Sequence, residues 1–217
     1  MGRAMPAPAI KICGLSTLET VDAALAARAE YIGFNFYPPS PRCVSLAEVA
    51  ALGARAAGKM LRVGVFVDPD DDLLGAAWAT GALDILQFHG NEPPVRLAEM
   101  KARFGCPVWK ALPVASRDDV ARASAYIGAA DLLLFDAKTP KGALPGGMGL
   151  TFEWALLTER PRALPWGLAG GLTAESVGTA IRQTGASLVD TSSGVETAPG
   201  IKDPALIAAF CKAARAA

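Results

Sequence analysis

Histidine is almost absent from this 217-residue chain, where His89 stands alone. A histidine-rich metal centre is thereby excluded, and a Ser-His-Asp triad would have to be built on that one residue. Cysteine is scarce too: Cys13, Cys43, Cys106 and Cys211 stand at wide, irregular spacings, and there is no CxxC. The pattern argues against a zinc ribbon or a redox dithiol. A chain of this size needs no disulfide staples, so free thiols and a reducing cytoplasm are expected. Charge of one sign is also missing, because 21 Lys and Arg face 21 Asp and Glu. Such a chain has no global pull toward nucleic acid or an anionic membrane, and neither is expected as a partner. A local anion site stays open. No apolar run approaches the roughly 18 residues of a spanning helix. The opening MGRAMPAPAI holds an Arg but no apolar stretch before a cleavage site, so no signal peptide is expected.

What is present is an apolar chain, 52% hydrophobic, with 22 Gly and 16 Pro, enough to fill one packed core. Short apolar runs alternate with longer Ala-rich ones. Strands are predicted at 9–13, 31–36, 61–67, 84–88, 107–112, 131–135, 164–169 and 188–190. Helices are predicted at 17–29, 45–57, 69–80, 92–104, 117–127, 151–159, 174–183 and 204–216. The units average about 27 residues, the size of a compact βα repeat. The strands are apolar on both sides of their period, as when both faces are buried. The pattern predicts a single (β/α)8 TIM barrel, an α/β fold, over residues 1–217. A doubly wound open sheet is the runner-up, but it has fewer strands.

A barrel of this kind carries its chemistry at the carboxyl ends of the strands. The polar and Gly-rich clusters of the chain fall there, and the amino ends of the strands show nothing comparable. Gly170-Gly171 follows the seventh strand, and Ser192-Ser193-Gly194 the eighth. Those two loops are the usual phosphate site of the fold. Glycines let the backbone approach an anion, though each cluster also reads as a tight turn. Cys13 closes the first strand, with Lys11 on the same side two residues earlier. A thiolate there could act as base or nucleophile; a buried structural thiol is the alternative. Asp136 closes the sixth strand after an apolar run. A carboxyl in such surroundings can serve as a proton donor, or it can cap a loop. Asp190 holds the same position on the eighth strand, where it could pin the Ser192-Ser193 turn. Arg42, in the loop after the second strand, could grip a carboxylate with two prongs or lie on the surface. His89 reads equally as a positioning donor or a structural residue. The Gly- and Pro-rich loop at 138–149 is the candidate for a mobile lid. The segment 53–60, GARAAGKM, only imitates a nucleotide-binding loop, since Met60 replaces the needed hydroxyl and a helix precedes it.

Read in order, these segments resemble the phosphoribosylanthranilate isomerase family of tryptophan biosynthesis. They are Lys11-Ile12-Cys13-Gly14, Gly33-Phe34 with Ser40 and Arg42, Gly64-Val65-Phe66-Val67 and Gln87-Phe88-His89-Gly90-Asn91-Glu92. Then come Phe135-Asp136, Gly146-Gly147-Met148-Gly149, Phe152-Glu153-Trp154 and Leu168-Ala169-Gly170-Gly171-Leu172. The series closes with the run from Val189 to Glu196 and with Gly200-Ile201-Lys202-Asp203. Departures are small: Phe88 where the family often has Leu, Asn35 after Gly33-Phe34, and a few residues before Ala9. The resemblance implies an Amadori rearrangement of N-(5′-phosphoribosyl)anthranilate, with no metal and no cofactor. It implies Asp136 as general acid and Cys13, as thiolate, as general base. It places the phosphate on backbone amides near Gly171 and Ser192 to Gly194, and the anthranilate carboxylate on Arg42. A sugar phosphate is then the expected small-molecule partner, and a monomer the expected state. Sibling barrels that isomerise a histidine-pathway aminoaldose or close an indole ring, and a non-enzymatic sugar-phosphate sensor, are the other readings. Cys13 stands where the histidine-pathway sibling has an aspartate, and a mere sensor has no need of both Cys13 and Asp136.

Overall fold

Strand-by-strand alternation sorts the apolar side chains into two cores, and the fold follows from keeping both dry. The computed structural model describes residues 7–139, 146–147 and 149–217. Its strands are β1 (Ala9–Cys13), β2 (Tyr31–Asn35), β3 (Leu61–Phe66), β4 (Ile85–Phe88), β5 (Val108–Val114), β6 (Leu132–Ala137), β7 (Trp166–Leu168) and β8 (Leu188–Thr191). Each pairs parallel with the next, and β8 pairs with β1, so the sheet closes into a barrel. Outward residues such as Ile12, Phe34, Phe66 and Phe88 form one core with the helices. Inward residues form the other, which includes Val63, Val65, Ile85, Trp109, Ala111, Leu134 and Leu188. The expected (β/α)8 barrel is therefore the fold observed.

Inward side chains stack in layers of four drawn from alternate strands. The strand registers put Cys13, Val65, Ala111 and Ala169 in one layer. Asn35, His89, Asp136 and Ser192 lie above them, at the carboxyl mouth. Gly33, Gln87, Leu134 and Asp190 lie below, and Lys11, Val63, Trp109 and Gly167 below those. A side chain at Gly167 would run into Leu188 and Leu134, so the lower interior is already full.

The helices are α1 (Leu18–Ala26), α2 (Leu46–Ala56), α3 (Asp71–Ala79), α4 (Pro94–Phe104), α5 (Arg117–Ala121), α6 (Val177–Thr184) and α7 (Pro204–Arg215). Local chemistry starts most of them. Thr17, Ser45, Asp70, Ser116 and Asp203 accept first-turn amides at five amino ends, and Ser45 with Glu48 completes a capping box. Gly105 and Gly185 take the left-handed conformation that ends α4 and α6. Two predicted helices are weaker than expected. The stretch 117–127 is α5 followed by a 3₁₀ segment, Arg122–Tyr126, and 151–159 is only the 3₁₀ segment Trp154–Glu159. Segments this short return too few bonds to offset the cost of nucleating an α-helix.

Two features were not foreseen. A small antiparallel hairpin, β9 (Glu196–Ala198) and β10 (Ile201–Lys202), follows β8 and turns through Pro199 and Gly200. The amino ends of the strands are also not bare. Glu30, Asp84 and Asp131 each stand just before or at the start of an even-numbered strand. They accept the amides of Ile10, Arg62 and Val108 on the preceding strands. These carboxylates close the lower rim of the barrel and bind its strands in pairs.

Phe88 is fully buried in the outer core, 6.4 Å from the ring of Phe66. Phe88→Ala is expected to cost about 3–5 kcal/mol. Urea denaturation followed by circular dichroism checks this, and an unchanged midpoint would contradict it.

Candidate functional site

The carboxyl ends of the strands open into one pocket. The acid, base and ligand-binding candidates of the sequence line it: Cys13 from β1, Arg42 after β2, Asp136 from β6, Gly170 and Gly171 after β7, and Ser192, Ser193 and Gly194 after β8. Asn35, His89 and Asp190 line it as well. Of the loop expected as a lid, 138–149, residues 140–145 and 148 lie outside the described residues.

Cys13 faces the pocket at the end of β1, only partly covered. Burial pushes its thiol above the ordinary cysteine value, while the charges of Lys11 and Lys202 pull it back. Asp190, next door, favours the neutral thiol. Lys11 donates to Asp190 Oδ2 over 3.0 Å and has no exposed surface. Burial works against its charge, but Asp190 and Cys13 outweigh it and hold Lys11 above the usual lysine range.

Asp136 is buried at the mouth of β6, with one carboxylate oxygen accepting the amide of Ala137 at 2.8 Å. The other oxygen lies 3.1 Å from His89 Nε2. The two side chains occupy the same interior layer, which is why they meet, and together they can hold a proton between two heteroatoms. Sequence reasoning left His89 undecided; the spacing Phe88-His89-Gly90 at a strand end was its signal. A buried ion pair fixes that loop. Lys110 Nζ donates to Gly90 O at 2.7 Å and to Glu92 Oε2 at 3.0 Å, while Glu92 Oε1 accepts the amide of Asp68.

Arg42 differs from expectation. Its guanidinium fork is already engaged, with Nε donating to Glu196 Oε1 at 2.8 Å and Nη2 to Glu196 Oε2 at 2.7 Å. Nη2 also reaches Gly147 O at 3.1 Å. Among the described residues, Nη1 alone makes no hydrogen bond, so a ligand carboxylate would meet one nitrogen rather than two prongs. Glu196 is shared with Lys202, whose Nζ lies 2.5 Å from Oε1 and also donates to Ser192 O and Ser192 Oγ. The unforeseen hairpin is what returns Lys202 beneath the Ser192 turn. Both residues appear in the sequence motifs, but nothing in their spacing announces the triad.

The two glycine turns are shaped by close backbone approach. Gly171 has φ +61°, and a Cβ there would lie 2.7 Å from the carbonyl oxygens of Gly149 and Leu150. A Cβ at Gly194 would strike Leu172 O. Ser193 opens the 3₁₀ turn Ser193–Val195, whose first amides have no partner within that turn. Residues from two adjacent strand ends, Gly170 and Gly171 after β7 and Ser192 to Gly194 after β8, thus line one pocket.

Burial alone would push Glu196 up, but Arg42 and Lys202 hold it below the usual carboxylate range. Its contribution to stability is therefore present above the unfolded value, about pH 4.3. It is lost as pH falls through the lower native value. Glu196→Gln strands two buried cations and is expected to cost about 3–5 kcal/mol at neutral pH. Urea titrations across the acid range check this: the gap to wild type should narrow below about pH 4. A constant gap down to acid unfolding would contradict it.

With this geometry established, comparison with known proteins is informative. Residues 10–213 match the family model described as N-(5′-phosphoribosyl)anthranilate (PRA) isomerase. An N-(5′-phosphoribosyl)anthranilate isomerase of Rhodopseudomonas palustris (strain BisA53) is 52% identical over 208 residues, 95% of each chain. One from Paramagnetospirillum magneticum is 49% identical over 207 residues, 95% of this chain and 96% of that one. The crystal structure of phosphoribosyl anthranilate isomerase from Thermotoga maritima superposes with a TM-score of 0.87 at 35% identity, covering 97% of this chain and 100% of that one. A further structure of the enzyme holds reduced 1-(o-carboxyphenylamino)-1-deoxyribulose 5-phosphate; it superposes with a TM-score of 0.84 at 32% identity, with the same coverage. The barrel, the order of its strand-end motifs and these matches agree: the chain belongs to the N-(5′-phosphoribosyl)anthranilate isomerase family and is an isomerase.

Proposed function

We propose that this chain converts N-(5′-phosphoribosyl)anthranilate to its aminoketose isomer, with Asp136 as general acid and Cys13 as general base. The observation that carries the assignment is that both groups line one pocket, from strands well separated around the ring, beside two glycine turns. A substrate lying between them meets a proton donor on one side and an acceptor on the other.

The chemistry asks for little else. Asp136 gives its proton to the furanose ring oxygen, and the C1′–O bond breaks. The anthranilate nitrogen supplies the electron pair, leaving a Schiff-base cation. The Cys13 thiolate then takes the proton from C2′. The C–H pair moves into a C1′–C2′ double bond and the nitrogen becomes neutral. The resulting enolamine tautomerises: C1′ gains a proton and the C2′ hydroxyl loses one, giving the ketone. Substrate and product have the same atoms and electrons, so the scheme calls on no cofactor or metal. Return of the proton from Cys13 to Asp136 through solvent resets the enzyme.

The glycine turns at Gly170-Gly171 and the Ser192-Ser193-Gly194 segment offer amides to the 5′-phosphate. Arg42 offers Nη1 to the anthranilate carboxylate, while Glu196 holds the rest of the guanidinium. One copy of the chain is enough to build this site, and a monomer with a single barrel domain over residues 1–217 is the proposed state. All four cysteines are free, and no helix among the described residues is long and apolar enough to cross a membrane. Both facts suit a cytoplasmic enzyme.

Cys13→Ala and Asp136→Asn are each expected to lower kcat by about 10²–10⁴-fold with the fold retained. Loss of the substrate's fluorescence, followed with freshly made phosphoribosylanthranilate, measures this, and circular dichroism monitors folding. Undiminished kcat in Cys13→Ala would remove the assigned base.

A further inference from the structure

Lys11 is a fully buried cation that the scheme above does not use. It sits in an interior layer otherwise made of Val63, Trp109 and Gly167. Burying an ammonium is costly, and a buried ion pair is often no more stable than apolar residues of equal volume. The layer above adds to that cost. Asp190 Oδ1 and both amide atoms of Gln87 are buried with no hydrogen-bond partner among the described residues. An interior of Leu and Val would avoid all of this.

The route of the side chain indicates its purpose. Lys11 climbs toward the mouth because Gly33, in the layer between, has no side chain. A Cβ at Gly33 would lie 2.9 Å from Cys13 Sγ and 3.3 Å from Lys11 Nζ. Ammonium and sulfur therefore border the same small space, and Asp190 Oδ2 holds the ammonium there at 3.0 Å. We propose that Lys11 is the cationic partner of the Cys13 thiolate, a positioning residue that eases ionisation of the sulfur for proton abstraction. The proposal rests on the reading of Cys13 as the base.

The charged groups around the sulfur are Lys11 from β1, Asp190 from β8 and Lys202 from β10. Asp136 and His89 face Asp190 from the mouth. Asp190 opposes the thiolate, and the two lysines favour it. Lys202 is already committed to Glu196 and Ser192. Lys11 has only Asp190 besides the sulfur.

The test is the pH dependence of iodoacetamide alkylation at Cys13, followed by peptide mass spectrometry on the full chain. Wild type is compared with Lys11→Met and with Lys11→Met/Asp190→Leu, which removes both charges and strands neither. In Lys11→Met the alkylation midpoint should move up by about one unit or more, by less in the double variant, where loss of Asp190 favours the thiolate, and the acid limb of kcat/KM should move with it. Activity at pH 7 then falls about tenfold per unit and returns at higher pH. A purely structural role would lower kcat/KM without moving either profile. Unchanged midpoints in a folded variant overturn the proposal. So does a native Cys13 that titrates at or above about 11, the value to which burial pushes Cys106 and Cys211. If Cys13→Ala keeps its turnover, the base assignment fails, while the alkylation midpoints still decide whether Lys11 sustains the thiolate.

Discussion

The ladder between β1 and β8 is the constraint on which everything else in the molecule depends. It pairs Ala9 with Leu188, Lys11 with Asp190 and Ile12 with Thr191, and it turns an open sheet into a ring. Closure removes the sheet edges and gives every strand two neighbours. It also fixes the chemistry, because the first and last strands carry Cys13 and the Ser192 turn. A slip of one residue would exchange inward and outward faces. Lys11 would leave the interior, Cys13 would leave the pocket, and Ile12 would face the mouth instead of the helices.

Buried charge is placed in an ordered way. Lys11 with Asp190, Lys110 with Glu92, and Glu196 with Arg42 and Lys202 are all nearly free of solvent. Each lies beneath or beside a loop of the mouth: the first under Cys13, the second under the His89 turn, the third under the Ser192 turn. Buried ion pairs are poor sources of stability but hold their neighbours in one geometry. The lower rim uses a different device, acidic side chains that cap the amides of neighbouring strands. Division of labour between a reactive upper face and a stabilising lower face is the pattern of the fold.

Much of this was legible in the chain. Eight apolar runs with helical stretches between them specify the barrel, since local periodicity reports which faces are buried. Cys13, Asp136 and the two glycine turns were findable because strand ends are where this fold exposes side chains. The pairing of His89 with Asp136 was not, because it joins β4 to β6 through a shared interior layer. Nor was the occupation of Arg42 by Glu196, which lies far along the chain and faces it only because a hairpin after β8 folds back. The 3₁₀ segments also escaped, since short helical turns of either kind share the same sequence pattern and tertiary packing sets their type and length.

Sequence therefore accounts for the class of fold, the location of the pocket at the strand ends and the residue types gathered there. These rest on short-range patterns: two-residue and three-to-four-residue periods, caps, and glycines at turns. Which charge neutralises which, and so how the thiol of Cys13 titrates, came from the three-dimensional arrangement. Lys11 and Cys13 are two residues apart, but the ammonium and the sulfur border one space left by Gly33 on the next strand, and Asp190 on the last strand holds the ammonium there. Electrostatic energy depends on distance and burial, and those exist only once the ring has closed.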